Sequence, residues 1–322
     1  MGRRSNKLQA EDLTPKKQKH VPGAEDFDSA LHLFIRDCKI RNLSDHTIKY
    51  YRNELIGFRN ILEDQKISTN PDKIKLSMIK ENVILYMMES LKRKDVTINS
   101  KLRAIRAFFN FLYQETYIIH NPVENLSLIK QKKTIIDTFS RDQMRLILAQ
   151  PDQTTFTGMR DYTILLFLLE TGVRARELVS VKIDDINWQD SVIKIDGKGY
   201  KERHVPIQSL MKKQLRKYVT VRGNLDSDAL FVTIDNTPLT KRQLQNRIAL
   251  FGRKAKIEGV RCSPHTFRHT FAKMSVQNGA DVFHLQAVLG HTSLDMVRNY
   301  VNLFSRDVFE GHRIFSPVEK LL

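Results

Sequence analysis

The chain of 322 residues is long enough for two domains with separate hydrophobic cores. Its shares of hydrophobic (41%) and charged (28%) residues are typical of a soluble globular protein, and the longest apolar run, 164–169, is too short to cross a membrane. The net charge of +17 favours a polyanionic partner, either nucleic acid or an anionic membrane surface. Since no strongly amphipathic terminal helix favours a membrane, nucleic acid is the working hypothesis.

Residues 1–22 are polar and basic, and we expect them to form a flexible tail. They contain no apolar core of a signal peptide. The two cysteines, Cys38 and Cys262, offer no disulfide framework, which fits a reducing cytoplasm.

A helical pattern over residues 24–129 predicts an N-terminal domain. In NLSDHTIKYYRNELIGFRNILED, Ser44 is a favoured N-cap and apolar residues follow at three- and four-residue steps. The segment VTINSKLRAIRAFFNFLYQE repeats this pattern. Its basic residues are expected to lie off the core face, where they can meet phosphates: Lys101, Arg103 and Arg106.

Residues 130–137 form a basic connector, in which Lys132 and Lys133 are further candidates for DNA contacts. A second domain is expected over 138–302. There RDYTILLFLLETG predicts a buried helix that ends at Gly172, and SVIKIDGKGYKERHVPI predicts a β-hairpin with a Gly-rich turn at 197–199. The remaining pattern is helical, so the second domain is expected to be mostly helical with a small sheet.

The stretch SPHTFRHTFA predicts a helix that begins with an anion-binding turn. Ser263 is a favoured N-cap, and Pro264 suits the first helical position. His265 and Arg268 are three residues apart and share a face next to the positive end of the helix dipole. For an isolated HxxR, an ordinary basic surface turn is the better interpretation.

Cys262, His265 and His269 resemble a group of metal ligands, but a fourth ligand at suitable spacing is missing. We therefore predict no metal site.

Three further stretches contain residues that suit phosphate chemistry. Arg174 follows Gly172 in ETGVRARELVSV, where Glu177 can brace it; Lys198 lies at the hairpin tip. In LGHTSLDMVRNYVN, we expect His291 in a turn between two helices and Tyr300 on the second one. Each residue alone is more often structural: an ion pair, a turn lysine or a packed tyrosine.

Together and in this order, ETGVRARELVSVKIDDI, GKGYKERHVPI, SPHTFRHTFA and LGHTSLDMVRNYVN resemble the signature boxes of the tyrosine site-specific recombinases, the phage integrases and Xer-type recombinases. NLSDHTIKYYRNELIGFRNIL resembles the N-terminal core-binding helices of that family, so the likeness covers essentially the whole chain. It implies a four-helix, SAM-like core-binding domain and a mostly α catalytic domain with a small antiparallel β-sheet. The implied catalytic set is Arg174, Lys198, His265, Arg268, His291 and Tyr300.

These residue types suit DNA strand transfer. Arg174 and Arg268 can offer forked donors to the oxygens of a phosphodiester, and the two histidines can add contacts. Tyr300 is the implied nucleophile, with His265 as a reasonable base and Lys198 as a reasonable acid for the departing 5′ oxygen. The resemblance implies a 3′-phosphotyrosyl intermediate, with no cofactor, metal or ATP.

The resemblance also implies the partners. We expect a homotetramer on two DNA duplexes with inverted-repeat core sites, and no membrane partner. In residues 303–322, the apolar side chains are expected to dock on a neighbouring subunit: Phe304, Phe309, Ile314 and Phe315. Glu177 is interpreted as support for Arg174, and His269 as helix packing.

Two other functions compete with an active recombinase. One is a catalytically idle DNA-binding protein on the same fold, and the other is a relaxing enzyme like the type IB topoisomerases. Within the recombinases, integration or excision of a mobile element is favoured over chromosome or plasmid dimer resolution, on the basis of the basic 1–22 tail and the C-terminal sequence.

Overall fold

The computed structural model describes residues 26–131, 137–197 and 202–290. The chain divides into two compact units, Met1–Lys133 and Thr134–Leu322. Both units are mainly helical, and the second contains a three-stranded antiparallel sheet. The fold class expected from the sequence is therefore confirmed.

The described part of the first unit, 26–131, contains four helical rods. The third rod is continuous, with a π-helical segment between two short α-helices. The elements are α1 (Phe27–Ile40), α2 (Asp45–Asp64), a 3₁₀ turn (Pro71–Lys73), α3 (Leu76–Met78), the π segment (Ile79–Leu85), α4 (Tyr86–Glu89) and α5 (Asp95–Gln114).

Local signals place the helices of this unit, and apolar burial holds them together. The side chain of Ser44 accepts a hydrogen bond from the backbone N–H of Thr47, as an N-cap does. Leu55 and Phe58 of α2 and Phe109 of α5 are completely buried in a shared core. The predicted cap and core stripe are therefore present.

The second unit contains helices packed around α7 (Phe156–Thr171), which is the buried helix expected from its nearly continuous apolar sequence. The other elements are α6 (Arg141–Leu148), α8 (Ala175–Ser180), β1 (Ile186–Asn187), β2 (Val192–Asp196), β3 (Glu202–Pro206), α9 (Ser209–Arg222), α10 (Lys241–Lys254), α11 (Pro264–Gln277) and α12 (Val282–Leu289).

The predicted hairpin is present as β2 and β3, which pair antiparallel with Ile193 opposite Val205. A third strand, β1, pairs with the other edge of β2. The sequence analysis missed β1, because two residues are too few to establish an alternating pattern. Residues 198–201, which connect β2 and β3 and include Lys198, lie outside the described residues, so the predicted turn stays a prediction.

The C-terminal ends of α7 and α12 lie close together. Gly172 ends α7 in the left-handed conformation (φ +59°) and donates its N–H to Leu168, as the sequence predicts. Gly290 ends α12 in the same conformation (φ +63°). A Cβ atom on Gly172 would meet the rings and methyls of Phe271 and Leu289, so α11 and α12 both pack against this turn.

Replacing Gly172 by alanine tests this close packing. The left-handed backbone alone costs an L-residue about 1 kcal/mol, and overpacking adds roughly 1–3 kcal/mol. We expect Gly172→Ala to lower the free energy of unfolding by about 2–4 kcal/mol, measured by urea denaturation with the fluorescence of the single tryptophan, Trp188.

Gly279→Ala is the matched control, because Gly279 also has a left-handed φ (+86°) but open space around it. It should lose only the backbone part, about 1 kcal/mol. Equal losses in the two variants would show that the contacts with Phe271 and Leu289 are unimportant.

Candidate active site

The start of α11 has the predicted geometry. Ser263 is the N-cap and accepts a hydrogen bond from Thr266 N–H at 3.2 Å, with Pro264 at the first helical position. One turn apart on this helix, His265 is exposed and Arg268 is buried. The anion-binding turn predicted from SPHTFRHTFA thus has one accessible imidazole and one guanidinium held inside the domain.

Backbone carbonyls at two helix ends orient Arg268. Its side chain is 4% exposed, and its two amino groups donate to the carbonyl oxygens of Gly172 and Leu289, each at 2.7 Å. Those carbonyls belong to the last turns of α7 and α12, where helix carbonyls lack intrahelical partners. A guanidinium is therefore both fixed in plane and favourably placed at two negative helix ends.

Arg174 lies two residues beyond Gly172, at the N-cap of α8, and its side chain is 36% exposed. Its guanidinium donates to one carboxylate oxygen of Glu177 at 2.8 Å, and its backbone N–H donates to the other at 2.8 Å. Glu177 itself is only 6% exposed. The carboxylate therefore fixes both the backbone and the side chain of Arg174.

Glu177 has a second cationic partner that the sequence analysis missed. Arg203 of β3 donates from Nη2 to the Oε2 atom of Glu177 at 2.8 Å. A signal was present in the sequence, because Arg203 shares its strand face with Val205, which is buried. A charged residue on the inward face of a strand requires a buried partner.

These contacts determine the ionisation of Glu177. Burial by itself raises the pKa of this carboxyl, but the hydrogen bonds from Arg203 and Arg174 and the positive charge of Arg203 lower the pKa to about 2. Glu177 is therefore a carboxylate throughout the neutral range and keeps its two arginines paired.

His265 is surrounded by positive charge. Partial burial lowers its pKa, and so do the charges of four neighbouring cations: Arg268, Lys241, Arg174 and Arg261. A lowered pKa keeps the imidazole neutral near pH 7, which is the form that can accept a proton. Arg174 and Arg268, which belong to different helices, thus both lower the pKa of one imidazole.

His269 has a more deeply shielded imidazole than His265. Burial, together with the neighbouring His265 and the charge of Arg268, lowers the pKa of His269 to about 4. A neutral, partly buried ring fits the helix packing predicted for this residue.

A buried ion network holds α10, whose first residue is Lys241, against α7. Asp161 of α7 is 2% exposed and accepts hydrogen bonds from Arg160 and from Arg247 of α10. The sequence analysis missed this network, since nothing local links Asp161 to Arg247. It matters for the site because α10 delivers Lys241 to the neighbourhood of His265.

Three residues of the implied catalytic set, Lys198, His291 and Tyr300, lie outside the described residues, as do Lys132 and Lys133 of the connector. Along the chain, His291 directly follows Gly290, the cap of α12. No cluster of three or more potential metal ligands occurs in 26–131, 137–197 and 202–290. No helix in these ranges is long and apolar enough to span a membrane.

The expectation that Lys101 lies off the core face is wrong. Its side chain is 10% exposed, and its ammonium donates to the backbone carbonyl and the carboxylate of Glu54, both at 3.0 Å. Lys101 is one helical turn from the buried Ile98 and Ile105, so the core stripe of α5 includes it. Arg103 and Arg106 are exposed, as expected.

Comparison with known proteins identifies the family. The profile described as "Phage integrase family" matches residues 137–306. The profile described as "Phage integrase, N-terminal SAM-like domain" matches residues 31–116. The chain belongs to the phage integrase family. As a member of this family it is a tyrosine recombinase, an enzyme that breaks and rejoins DNA.

Individual relatives of this tyrosine recombinase support the assignment. It is 30% identical to the tyrosine recombinase XerC of Thermodesulfovibrio yellowstonii, covering 86% of this chain and 92% of the relative. It is also 30% identical to the tyrosine recombinase XerD of Staphylococcus epidermidis, covering 86% of this chain and 94% of that relative.

Solved structures share the fold of this recombinase. The XerH recombinase bound to a palindromic difH substrate superposes with a TM-score of 0.72 at 21% identity, over 90% of this chain and 85% of that one. The integrase of the Tn1549 transposon in complex with a circular intermediate DNA superposes with a TM-score of 0.68 at 21% identity, over 84% of this chain and 94% of that one.

The ionisation of Glu177 predicts how stability depends on pH. Its pKa in the folded protein, about 2, is below the ordinary value of 4.5. Its contribution to the free energy of unfolding is therefore complete above pH 4.5 and is lost as pH falls through 2. The shift corresponds to about 3 kcal/mol. Glu177→Gln cannot titrate, so between these pH values its free energy of unfolding should fall less than that of the wild type, measured by Trp188 fluorescence in urea. Parallel curves for the two proteins would contradict the paired carboxylate.

The burial of Lys101 predicts how DNA binding depends on salt. Each phosphate contact contributes about 0.9 to the slope of log affinity against log salt concentration. The double variant Arg103→Ala, Arg106→Ala should reduce that slope by about 2, whereas Lys101→Met should leave it unchanged, measured by fluorescence anisotropy on duplex DNA. A loss of slope in Lys101→Met equal to that of one arginine would show that Lys101 leaves Glu54 to bind phosphate.

Proposed function

We propose that this enzyme recombines duplex DNA at a specific site through a 3′-phosphotyrosyl intermediate and a Holliday junction. The observation that carries the proposal is that the buried guanidinium of Arg268 donates to the carbonyl of Gly172, two residues before Arg174, so both arginines lie at the turn between α7 and α8, with His265 one helical turn from Arg268. A phosphodiester is the ligand that two guanidinium groups and one neutral imidazole suit best.

Each of the three described residues has a distinct role in this proposal. Arg174 and Arg268 bind the oxygens of the scissile phosphate and stabilise the additional negative charge of the pentacovalent transition state. Their fixed orientation supports this role, because Glu177 holds Arg174 and two helix-end carbonyls hold Arg268. His265 is neutral and accessible, which suits a base.

The residues outside the described ranges complete the reaction. In the first step the phenol oxygen of Tyr300 attacks the phosphorus, and the bond from phosphorus to the 5′ oxygen breaks. His265 takes the phenol proton, Lys198 gives a proton to the departing 5′ oxygen, and His291 adds a donor to the phosphate. In the second step a 5′ hydroxyl of the partner strand gives its proton to Lys198 and attacks the phosphotyrosine, and Tyr300 leaves with the proton that His265 returns.

The working assembly in this proposal is a homotetramer on two duplexes with inverted-repeat core sites. The segment 303–322 directly follows the catalytic domain, and its apolar residues dock on a neighbouring subunit. DNA binding by α5 uses Arg103 and Arg106, which are exposed on the first unit.

The biological role in this proposal is the integration or excision of a mobile element. It rests on the basic segment 1–22 and on the amino-acid sequence of the C-terminal segment 303–322. The second candidate, resolution of chromosome or plasmid dimers, is favoured by the names of the relatives given above, XerC and XerD. Sequencing the DNA that the purified protein joins from a library of sites separates the two, because element ends and replicon resolution sites differ.

The nucleophile is tested with a nicked duplex from which the cleaved end is lost by diffusion. The wild type should accumulate a covalent protein–DNA adduct that is stable to SDS, and Tyr300→Phe should form none, because it has no phenol oxygen. The adduct is measured by gel electrophoresis with a labelled strand.

The controls for this experiment separate the competing functions. A wild type that binds the duplex without any adduct would be an idle DNA-binding protein. Relaxation of supercoiled plasmids that lack the site would favour a topoisomerase. An adduct in Tyr300→Phe would show that another residue is the nucleophile.

A further inference from the structure

Arg203 lies where three elements of the catalytic domain meet. It is the second residue of β3, opposite Ile195 of β2, and its side chain is 12% exposed. Along the chain, Lys198 lies between β2 and β3, outside the described residues.

The guanidinium of Arg203 bridges two partners from other elements. Its Nη2 donates to the Oε2 atom of Glu177 in α8 at 2.8 Å. Its Nε donates to the carbonyl oxygen of Val288, in the last turn of α12, at 2.8 Å. A Cβ atom on Gly290 would lie 3.0 Å from Cδ of Arg203, so the turn that ends α12 packs on the same side chain.

Each of these elements leads directly to a residue of the proposed mechanism. The hairpin leads to Lys198, Glu177 holds Arg174, and Gly290 precedes His291. We propose that Arg203 is a positioning residue that fixes the hairpin, α8 and the end of α12 relative to one another. It thereby aligns the acid Lys198, the phosphate ligand Arg174 and the segment that leads to the nucleophile. This inference rests on the proposed function.

A second buried arginine shows what a purely structural role looks like in this domain. Arg222 is also buried, but its partners in the part of the chain that the structure describes are backbone carbonyls of the adjacent loop, those of Gly223, Ser227 and Ala229. Arg203 differs because its partners come from two distant elements and include a carboxylate that is itself bonded to Arg174.

The chemistry of this bridge requires arginine. Its Nε and Nη2 atoms face different partners from one rigid plane, whereas a lysine has a single ammonium on a flexible stem. The charge of Arg203 also affects Glu177. Among the described residues, Arg203 and Arg174 are the charged groups that lower the pKa of Glu177, and Lys194 of the adjacent strand β2 is paired with Asp185 and Glu202.

The test uses Arg203→Gln, which removes the charge but keeps one donor, with Arg222→Gln as the matched control. The rate of adduct formation is measured in single turnover on the nicked duplex at saturating DNA, and Trp188 fluorescence checks that each variant is folded. Misalignment should slow Arg203→Gln by about 100-fold near pH 7.

The pH dependence distinguishes positioning from simple structural support. Without Arg203, the pKa of Glu177 rises, so Glu177 becomes protonated at a higher pH and releases Arg174. The rate of Arg203→Gln relative to wild type should therefore fall further as pH is lowered from about 7 to about 4.5, whereas the relative rate of Arg222→Gln should stay constant.

Two results would overturn the inference. One is a relative rate for Arg203→Gln that stays constant across this pH range, and the other is a wild-type rate. If Arg203→Gln does not fold, Arg203→Lys decides, because it keeps the charge but cannot hold Glu177 and Val288 together. A rate at least about 10-fold below wild type supports positioning, and a wild-type rate overturns it.

Failure of the proposed function gives a different pattern. An adduct in Tyr300→Phe would overturn the proposed mechanism, and this inference with it. An inert Tyr300→Phe together with a fully active Arg203→Gln would overturn this inference alone.

Discussion

The carboxylate of Glu177 is the group on which the catalytic domain's arrangement depends. It is 6% exposed and accepts hydrogen bonds from Arg174 and Arg203. A buried charge costs several kcal/mol unless it is paired and hydrogen-bonded, so neither arginine can move away without a large loss of free energy. The requirement to neutralise one carboxylate thereby fixes two guanidinium groups from different elements, one of which is proposed to bind the scissile phosphate.

Helix ends provide the second constraint. The last carbonyls of α7 and α12 have no partners within their own helices, and Arg268 and Arg203 supply the missing donors at Gly172, Leu289 and Val288. A cation at the C-terminal end of a helix is also favoured by the helix dipole. The arginines that make the site positive are therefore the same groups that hold the helix ends in place, so the site and its scaffold form together.

Features that depend on near neighbours were predictable from the sequence. Ser44 and Ser263 cap their helices by accepting the backbone N–H three positions on, Gly172 adopts the left-handed conformation, and β2 and β3 pair although only residues 197–201 separate them. Lys101 shows where this reasoning failed. Its spacing from Ile98 and Ile105 is that of the core stripe, whereas a charged side chain is usually exposed to solvent. The carboxylate of Glu54, forty-seven positions earlier, makes the burial of Lys101 possible.

The sequence by itself determined the helical caps and turns, the family resemblance and the identity of the residues suited to phosphate chemistry, because these depend on residue type and short spacing. Only the tertiary structure decided which charges are partners: Arg203 with Glu177 and Val288, Arg268 with two helix ends, and Asp161 with Arg247. The physical reason is that the pairing of buried charges is set by which elements pack together. Helical and strand periodicity specify the face of one element and contain no information about the element that covers it.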